Sequence, residues 1–246
     1  MVPEGAGKHH TPSRAVGLLL AVLVLAAGCG FPRDPEGTLE RVRGGMMRVG
    51  VVEREPFTRV EEGTPTGPEV ELVQEFARTL GATVEWTVGA EPRLMEALAH
   101  QQLELVIGGI PADTPYGSKG GLSQPYLRSQ LRVGAPPEQT PPSELKGQRV
   151  AVEKGHVAIA LLEEKGAVPE PTSTLASAPG LRAGFDWQLE AWGYTPTGPT
   201  LKKEEVLLVV PPGENGWLRQ VDLFLHEHRD QARARLVEAA KQGATR

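Results

Sequence analysis

The side chains able to do chemistry are scattered, and their spacing favours binding over catalysis. Gly155-His156-Val157 stands at the head of an apolar-periodic stretch that runs to Lys165. The first backbone N–H groups of a helix have no partner within it, so such a start favours an anion. Asp186 precedes Trp187-Gln188-Leu189, where a carboxylate suits a helix N-cap. Asp113 and Asp186 form no evident catalytic pair. His226-Glu227-His228 offers two imidazoles, but residues two apart on a helix face different ways and leave a solvated surface rather than a metal pair. HExxH, CxxC, Walker and GxSxG spacings are absent. Gly5-Ala6-Gly7-Lys8 lacks the first glycine of a phosphate loop at the required spacing. The expectation is a protein that is not an enzyme, with no catalytic residues, metal or cofactor. The lone cysteine, Cys29, directly follows Ala26-Ala27-Gly28. With no second thiol it forms no disulfide within the chain.

The elements that must position these residues follow from periodicity. A strand is expected at Met46–Val52, then a loop with Pro56 and Phe57 and a turn at Gly63–Gly67. Pro68–Leu80 reads as a helix with Val70, Val73, Phe76, Ala77 and Leu80 on one face, Pro68 in its first turn and Gly81 at its end. Thr83–Val88 alternates as a strand, Pro92–Gln101 reads as a second helix, and Leu103–Ile107 is an apolar strand that stops at Gly108-Gly109. A β-α-β-α-β run of this kind predicts a parallel sheet. Ligands then lie beyond the carboxyl ends of the strands, here Glu53–Phe57 and Gly108–Thr114. Further strands are expected at Gln130–Val133, Arg149–Val152 and Val206–Val210, and helices at Gly155–Lys165, Asp186–Trp192 and Trp217–Lys241. Pro169–Pro179 is rich in Pro, Ser and Thr and reads as neither strand nor helix. The 246 residues are 39% hydrophobic and 23% charged with a net charge of −5, which fits a globular protein. Nucleic acid is excluded as a partner, because neutralising phosphates takes clustered Lys and Arg.

The N-terminus sets the expected compartment. Residues 1–14 are polar and carry Lys8 and Arg14, and Ala15–Gly28 is an apolar run of 14 residues. That is short for a hydrocarbon layer of about 30 Å and has the plan of a secretory signal. The small residues before Cys29 resemble the bacterial lipobox, with Leu25 one place further out than that pattern's leucine. The resemblance implies a lipoprotein signal peptide at 1–28, acylation of Cys29, a tether at 29–37, and an exported protein anchored to the cell membrane by its acyl chains.

A longer series of matches then accumulates: Met47-Arg48-Val49-Gly50-Val51, Glu55-Pro56-Phe57, Gly67-Pro68-Glu69-Val70-Glu71-Leu72 running into Phe76–Gly81, Leu103–Gly109, Leu122–Tyr126, Glu144–Val152 with Lys154-Gly155, and Val206–Pro212. In this order and spacing the sequence resembles the bacterial extracellular solute-binding proteins of family 3, the amino-acid-binding receptors of ABC importers. The resemblance implies a periplasmic-binding-protein-like type II α/β fold: two α/β lobes, a hinge and an interlobe cleft. Lobe one would be 38–112 plus 199–246 and lobe two 113–198. The partners would be a small-molecule ligand and ABC permease membrane subunits, and the protein a monomer.

The resemblance also implies ligand contacts. Phe57 matches an aromatic that packs on the ligand. Gly109, Ile110 and Thr114 lie at the first crossover, where carbonyls and a hydroxyl meet the ligand's ammonium or carboxylate. Gly155 and His156 open the helix that faces its carboxylate, and Asp186 matches an aspartate that pairs with its amino group. Glu69 is counted among the ligand residues, and Glu55, Glu69, Lys154 and Asp186 are the acidic and basic groups that an enzyme of dehydratase type on this fold would draw on. The departure is Asp113-Thr114-Pro115-Tyr116-Gly117-Ser118-Lys119. Tyr116 and Gly117 stand where the family has x-Arg, the arginine that clamps the α-carboxylate. Lys119 is cationic but two places late and lacks the planar fork; Arg128 and Arg182 are other cations that would have to reach in. Tyr116 would suit an apolar or cationic group. The solute expected is therefore an amino acid or a related amine or organic compound. The alternatives are a transport-inactive sensory or protein-interaction module on the same fold, and an enzyme of cyclohexadienyl dehydratase type.

Overall fold

The computed structural model describes residues 34–244; the expected signal peptide and Cys29 lie outside them. The chain runs through α1 (Thr38–Val42), β1 (Met46–Val51), the hairpin β2 (Arg59–Glu61) and β3 (Thr64–Thr66), α2 (Pro68–Thr79), β4 (Thr83–Val88), α3 (Glu91–Ala99) and β5 (Leu105–Pro111). It continues through β6 (Gly121–Leu122), β7 (Leu127–Ala135), β8 (Arg149–Glu153), α4 (Ala158–Glu164), β9 (Val168–Thr172), β10 (Leu181–Phe185), α5 (Asp186–Ala191), β11 (Thr195–Val210) and α6 (Asn215–Ala244). The main sheet has the order β4-β1-β5-β11-β7-β10-β8-β9, with β6 also on β11.

The sheet has two parallel groups joined by antiparallel strands. β1 pairs in parallel with β4 and β5, and β8 pairs in parallel with β10 and β9. Between the groups lies β11, 16 residues long. Its first part pairs with β7 through Thr195–Thr197 and Lys202–Val206, and its last part pairs with β5 and β6. Each parallel group carries its own packing. α2 buries Val70, Val73 and Phe76 with Met47, Val49 and Leu105, and the same core takes Trp217, Val221 and Phe224 from α6. The opposite face of β5 packs Val106 and Ile110 with Leu94, Met95 and Leu98 of α3. A separate core joins Leu131 and Val133 of β7 to Val150, Val152, Ala158, Leu162 and Leu181.

Three expectations are corrected. Pro169–Pro179 contains β9 and a 3-10 turn at Leu175–Ser177. β9 is an edge strand, and the N–H of Val168 donates to Gln148 O. Pro169 and Pro171 therefore take alternate positions whose nitrogens face away from β8, where no donor is needed. β10 was not foreseen, because Arg182 and Gly184 interrupt its apolar pattern. Residues 34–37, expected as tether, are bonded onto the start of α6: Asp34 accepts from the Trp217 N–H (2.9 Å), and Glu214 accepts from the N–H of Glu36 and Thr38 (3.0 Å each).

β1 and β5 are also pinned by a buried charge. Glu104 accepts from the Arg48 N–H (2.7 Å) and is gripped by the Arg48 and Arg41 guanidinium groups. Both arginines are partly exposed, 44% for Arg41 and 36% for Arg48, and stay in reach of water without it, so most of the loss on Glu104→Ala is the backbone bond and packing. Thermal unfolding of Glu104→Ala is expected to show a loss of about 2 kcal/mol.

Candidate functional site

The carboxyl ends of both parallel groups converge on one cleft of about 410 Å³. One wall comes from the loop after β1, with Arg54–Phe57, and from Gly109 and Pro111 of β5. The other comes from Glu153–His156 after β8, Ala183–Phe185 of β10, and the first turn of α5. Glu204 of β11 and Leu131 of β7 lie between. A groove of about 420 Å³ near Arg43, Leu80, Phe224 and His228 collects none of the expected ligand residues.

Four rings run from wall to wall. Phe57 meets Trp187 edge-on at 6.0 Å between centroids, Trp187 lies parallel to Phe185 at 6.2 Å, and His156 meets Phe185 edge-on at 6.2 Å. Phe57 and Trp187 are buried. Phe57 lies directly on the backbone of Gly109, whose φ is +60°; a Cβ there would collide with the ring. Glycine at 109 thus serves both the left-handed turn and the close approach.

Behind that turn sits Glu69, at the head of α2 and fully buried. It accepts from the N–H groups of Gly108 (2.6 Å) and Gly109 (2.9 Å), and from the Tyr126 hydroxyl. Burial raises its carboxyl above the ordinary glutamate value, against the pull of these three donors. Burial, with Glu69 beside it, pushes the Tyr126 phenol well up. Glu69 is therefore a clamp on the β5 turn with its oxygens already engaged.

Beside Gly109 is a second network. Arg54 donates from Nη1 to Gly109 O (2.7 Å) and from Nη2 to Glu91 Oε2 (3.0 Å), and the Thr114 hydroxyl donates to Glu91 Oε1. On β11, Glu204 pairs with Lys202 (3.2 Å), which also reaches Asp113 (3.2 Å).

Of the expected ligand residues, Phe57, Gly109, Gly155 and His156 line the cleft. The rest are placed differently. Ile110 is buried in the core beneath α3, and Tyr116 packs against that core. Lys119 pairs with Glu96 (2.7 Å), and Thr114 serves Glu91. Asp186 adjoins the cleft without lining it, and its Oδ1 accepts from the Trp187 N–H (2.9 Å). The helix start at 155–157 partly satisfies itself: His156 Nδ1 accepts from the Ala158 N–H, and His156 O from Ile159 (3.1 Å each). Arg128 pairs with Glu205 (2.8 Å), and Arg182 is buried against Tyr194 and the carbonyls of Ala176 and Ala178. Sequence reasoning missed Arg54, Phe185 and Gln188. The signal available for Arg54 was its place in the loop after β1, at a strand's carboxyl end. Among the described residues no group of three or more His, Cys, Asp and Glu is placed to hold a metal ion.

Residues 47–239 match the bacterial extracellular solute-binding proteins, family 3. Among curated proteins, 124 residues are 36% identical to membrane-bound lytic murein transglycosylase F of Maricaulis maris, covering 48% of this chain and 27% of that protein. A stretch of 112 residues is 31% identical to cyclohexadienyl dehydratase of Pseudomonas aeruginosa, covering 44% of this chain and 41% of that one. The chain thus spans less than half the length of either relative. Among solved structures, the L-cystine solute receptor of Neisseria gonorrhoeae in its unliganded open conformation superposes with a TM-score of 0.63 at 19% identity, covering 78% of this chain and 91% of that one. That likeness shows a type II periplasmic-binding-protein-like fold.

Proposed function

We propose, from the premise that this chain belongs to the bacterial extracellular solute-binding proteins of family 3, that it captures a small polar solute in the cleft and delivers it to an ABC importer. The observation that carries this is the cleft itself, whose walls come from the ends of both parallel strand groups. A solute touching Phe57 and Gly109 on one side and Gly155 and His156 on the other would favour closure of two lobes, 38–112 plus 199–246 and 113–198, about the crossovers. A solute touching one wall alone would shift nothing. The match to an L-cystine receptor's fold supports an amino acid or a related amine or organic compound as cargo. Cys29, acylated and left as the first residue once residues 1–28 are removed, would hold the exported monomer at the membrane beside the permease subunits.

A thermal-shift panel of amino acids, amines, short peptides, sugars and organic acids tests this reading. A ligand at 100 times its dissociation constant adds about 2.7 kcal/mol, a rise of roughly 5–10 °C for a chain of this size. Silence across the whole panel would overturn it.

One observation favours a second reading, a transport-inactive sensory or interaction module. Gly109 O and the Thr114 hydroxyl, expected to face a ligand, are already engaged by Arg54 and Glu91. Co-purification with a membrane partner other than a permease would support it, and exclusive recovery of permease subunits would sink it.

A further inference from the structure

Resting on the cleft reading, we propose that Arg54 recognises the ligand through a carboxylate, and that the ligand is an organic acid without an α-amino group rather than a free amino acid. Arg54 stands in the cleft wall with its side chain 38% exposed. Its guanidinium has five N–H donors. One is fixed on Gly109 O and one on Glu91, which leaves the others for a ligand. A guanidinium held in two places is already oriented, and its planar fork matches a carboxylate in two-point contact. Glu91 is the positioning residue, reaching Arg54 with one oxygen while its other accepts from Thr114. At the opposite rim stands Lys154, whose ammonium has no ion-pair partner among the described residues, with His156 beside it.

The acceptors expected to meet an ammonium already have partners. Gly109 O holds Arg54, the Thr114 hydroxyl is turned to Glu91, and Asp186 accepts from its own helix outside the lining. Of the carboxylates in the wall, Glu55 is paired with Arg59 (2.9 Å) and Glu204 with Lys202. Glu153 stands exposed beside Lys154 at the mouth. An ammonium beside an Arg54-bound carboxylate would face a guanidinium of its own sign and, in Gly109 O, Thr114 and Glu91, oxygens that already have partners, which disfavours it there. The remaining lining, Pro56, Phe57, Leu131, Phe185 and Trp187, suits an apolar or aromatic body. The cleft therefore suits a small carboxylate with such a body and no amine beside its carboxyl.

Calorimetric titration of the purified protein with matched sets tests this: phenylalanine, phenylpyruvate and 3-phenyllactate; leucine, 4-methyl-2-oxopentanoate and 2-hydroxy-4-methylpentanoate. The deaminated members should bind about tenfold or more tighter than their amino acid. Arg54→Met should weaken them about a hundredfold. Arg54→Lys, which keeps the charge without the fork, should recover only a small part. Glu91→Gln should weaken them less than Arg54→Met. The melting temperature of each variant separates lost binding from lost folding. Amino acids binding as tightly as their deaminated partners, or Arg54→Met binding like the parent protein, would overturn the proposal. If neither set binds while the thermal-shift panel yields another ligand, the substrate class is wrong and the cleft reading stands. If neither experiment yields a ligand, the cleft reading itself fails.

Discussion

Replacing Glu69 by leucine is expected to destabilise the protein by about 3–5 kcal/mol, measured by denaturant unfolding. Leucine fills much of the space but accepts no hydrogen bond. It would strand the N–H groups of Gly108 and Gly109 and the Tyr126 hydroxyl, all in a site closed to water. Glu69→Gln should cost only about 1 kcal/mol, because its carbonyl can still serve both amides while the Tyr126 oxygen accepts from its NH₂ group. The pH dependence adds a signature. Burial holds the Glu69 carboxyl above its ordinary value in the folded protein. The unfolded chain then loses its proton first as pH rises, so the stabilisation is full below the ordinary glutamate value and is lost as pH climbs through the raised folded value. The stability gap between parent and Glu69→Gln should therefore be widest in acid and narrow as pH rises through that window. A gap that widens with rising pH would show that the donors outweigh burial. Because this clamp shapes the turn on which Phe57 rests, Glu69→Leu should also weaken ligand binding.

The second large effect is expected at Trp187. Its ring is fully buried between Phe57 and Phe185, and it joins the wall carried by α5 to the core shared with α6. Trp187→Ala removes both ring contacts and opens a void at the cleft, for a loss of about 3–5 kcal/mol. Trp187→Phe should cost much less. The indole N–H has no acceptor among the described residues, so no hydrogen bond is lost and only ring area is reduced. Equal losses in the two variants would show that a phenyl ring recovers none of the packing, and would contradict the account that ring area at this position holds the cleft wall. Phe57→Ala leaves Trp187 in place, so it separates the two functions of the bridge: its cost to ligand affinity should exceed its cost to stability.

The first third of the fold was legible because its information is local. α2, β4 and α3 bury one face each against near neighbours and β1 is a short apolar run, so these elements appear directly in the text, and Thr83–Val88 was placed to the residue. β10 and the first part of β11 were not legible, for a different reason. Arg182 reads as polar, yet burial is tolerated because two carbonyls accept from its guanidinium and Tyr194 lies beneath it; burial also lowers its pKa. Thr195–Glu205 carries Pro, Gly, Lys and Glu, and is a strand because β7 supplies its backbone partners. The same division holds in the cleft. Phe57, Gly109 and His156 sit at strand ends that the β-α-β pattern already marked. Arg54 takes its role from Glu91, 37 residues on, and Gly109, 55 residues on. Separations of that size leave no periodic trace in a single sequence. Tyr116 and Lys119 lie outside the cleft lining because the turn after β5 carries them towards α3, where Lys119 meets Glu96 and Tyr116 meets the apolar face.

The central claim is that a small solute binds in the cleft that Phe57 and Trp187 line, and Trp187 can report on it. The purified protein should be titrated with the tightest ligand found, following tryptophan emission and heat together, in the parent protein and in Trp187→Phe. The account predicts saturable one-to-one binding with a change in emission in the parent. In Trp187→Phe the heat should remain and the emission change should vanish. An emission change that persists in Trp187→Phe would place the ligand elsewhere on the molecule and contradict the account.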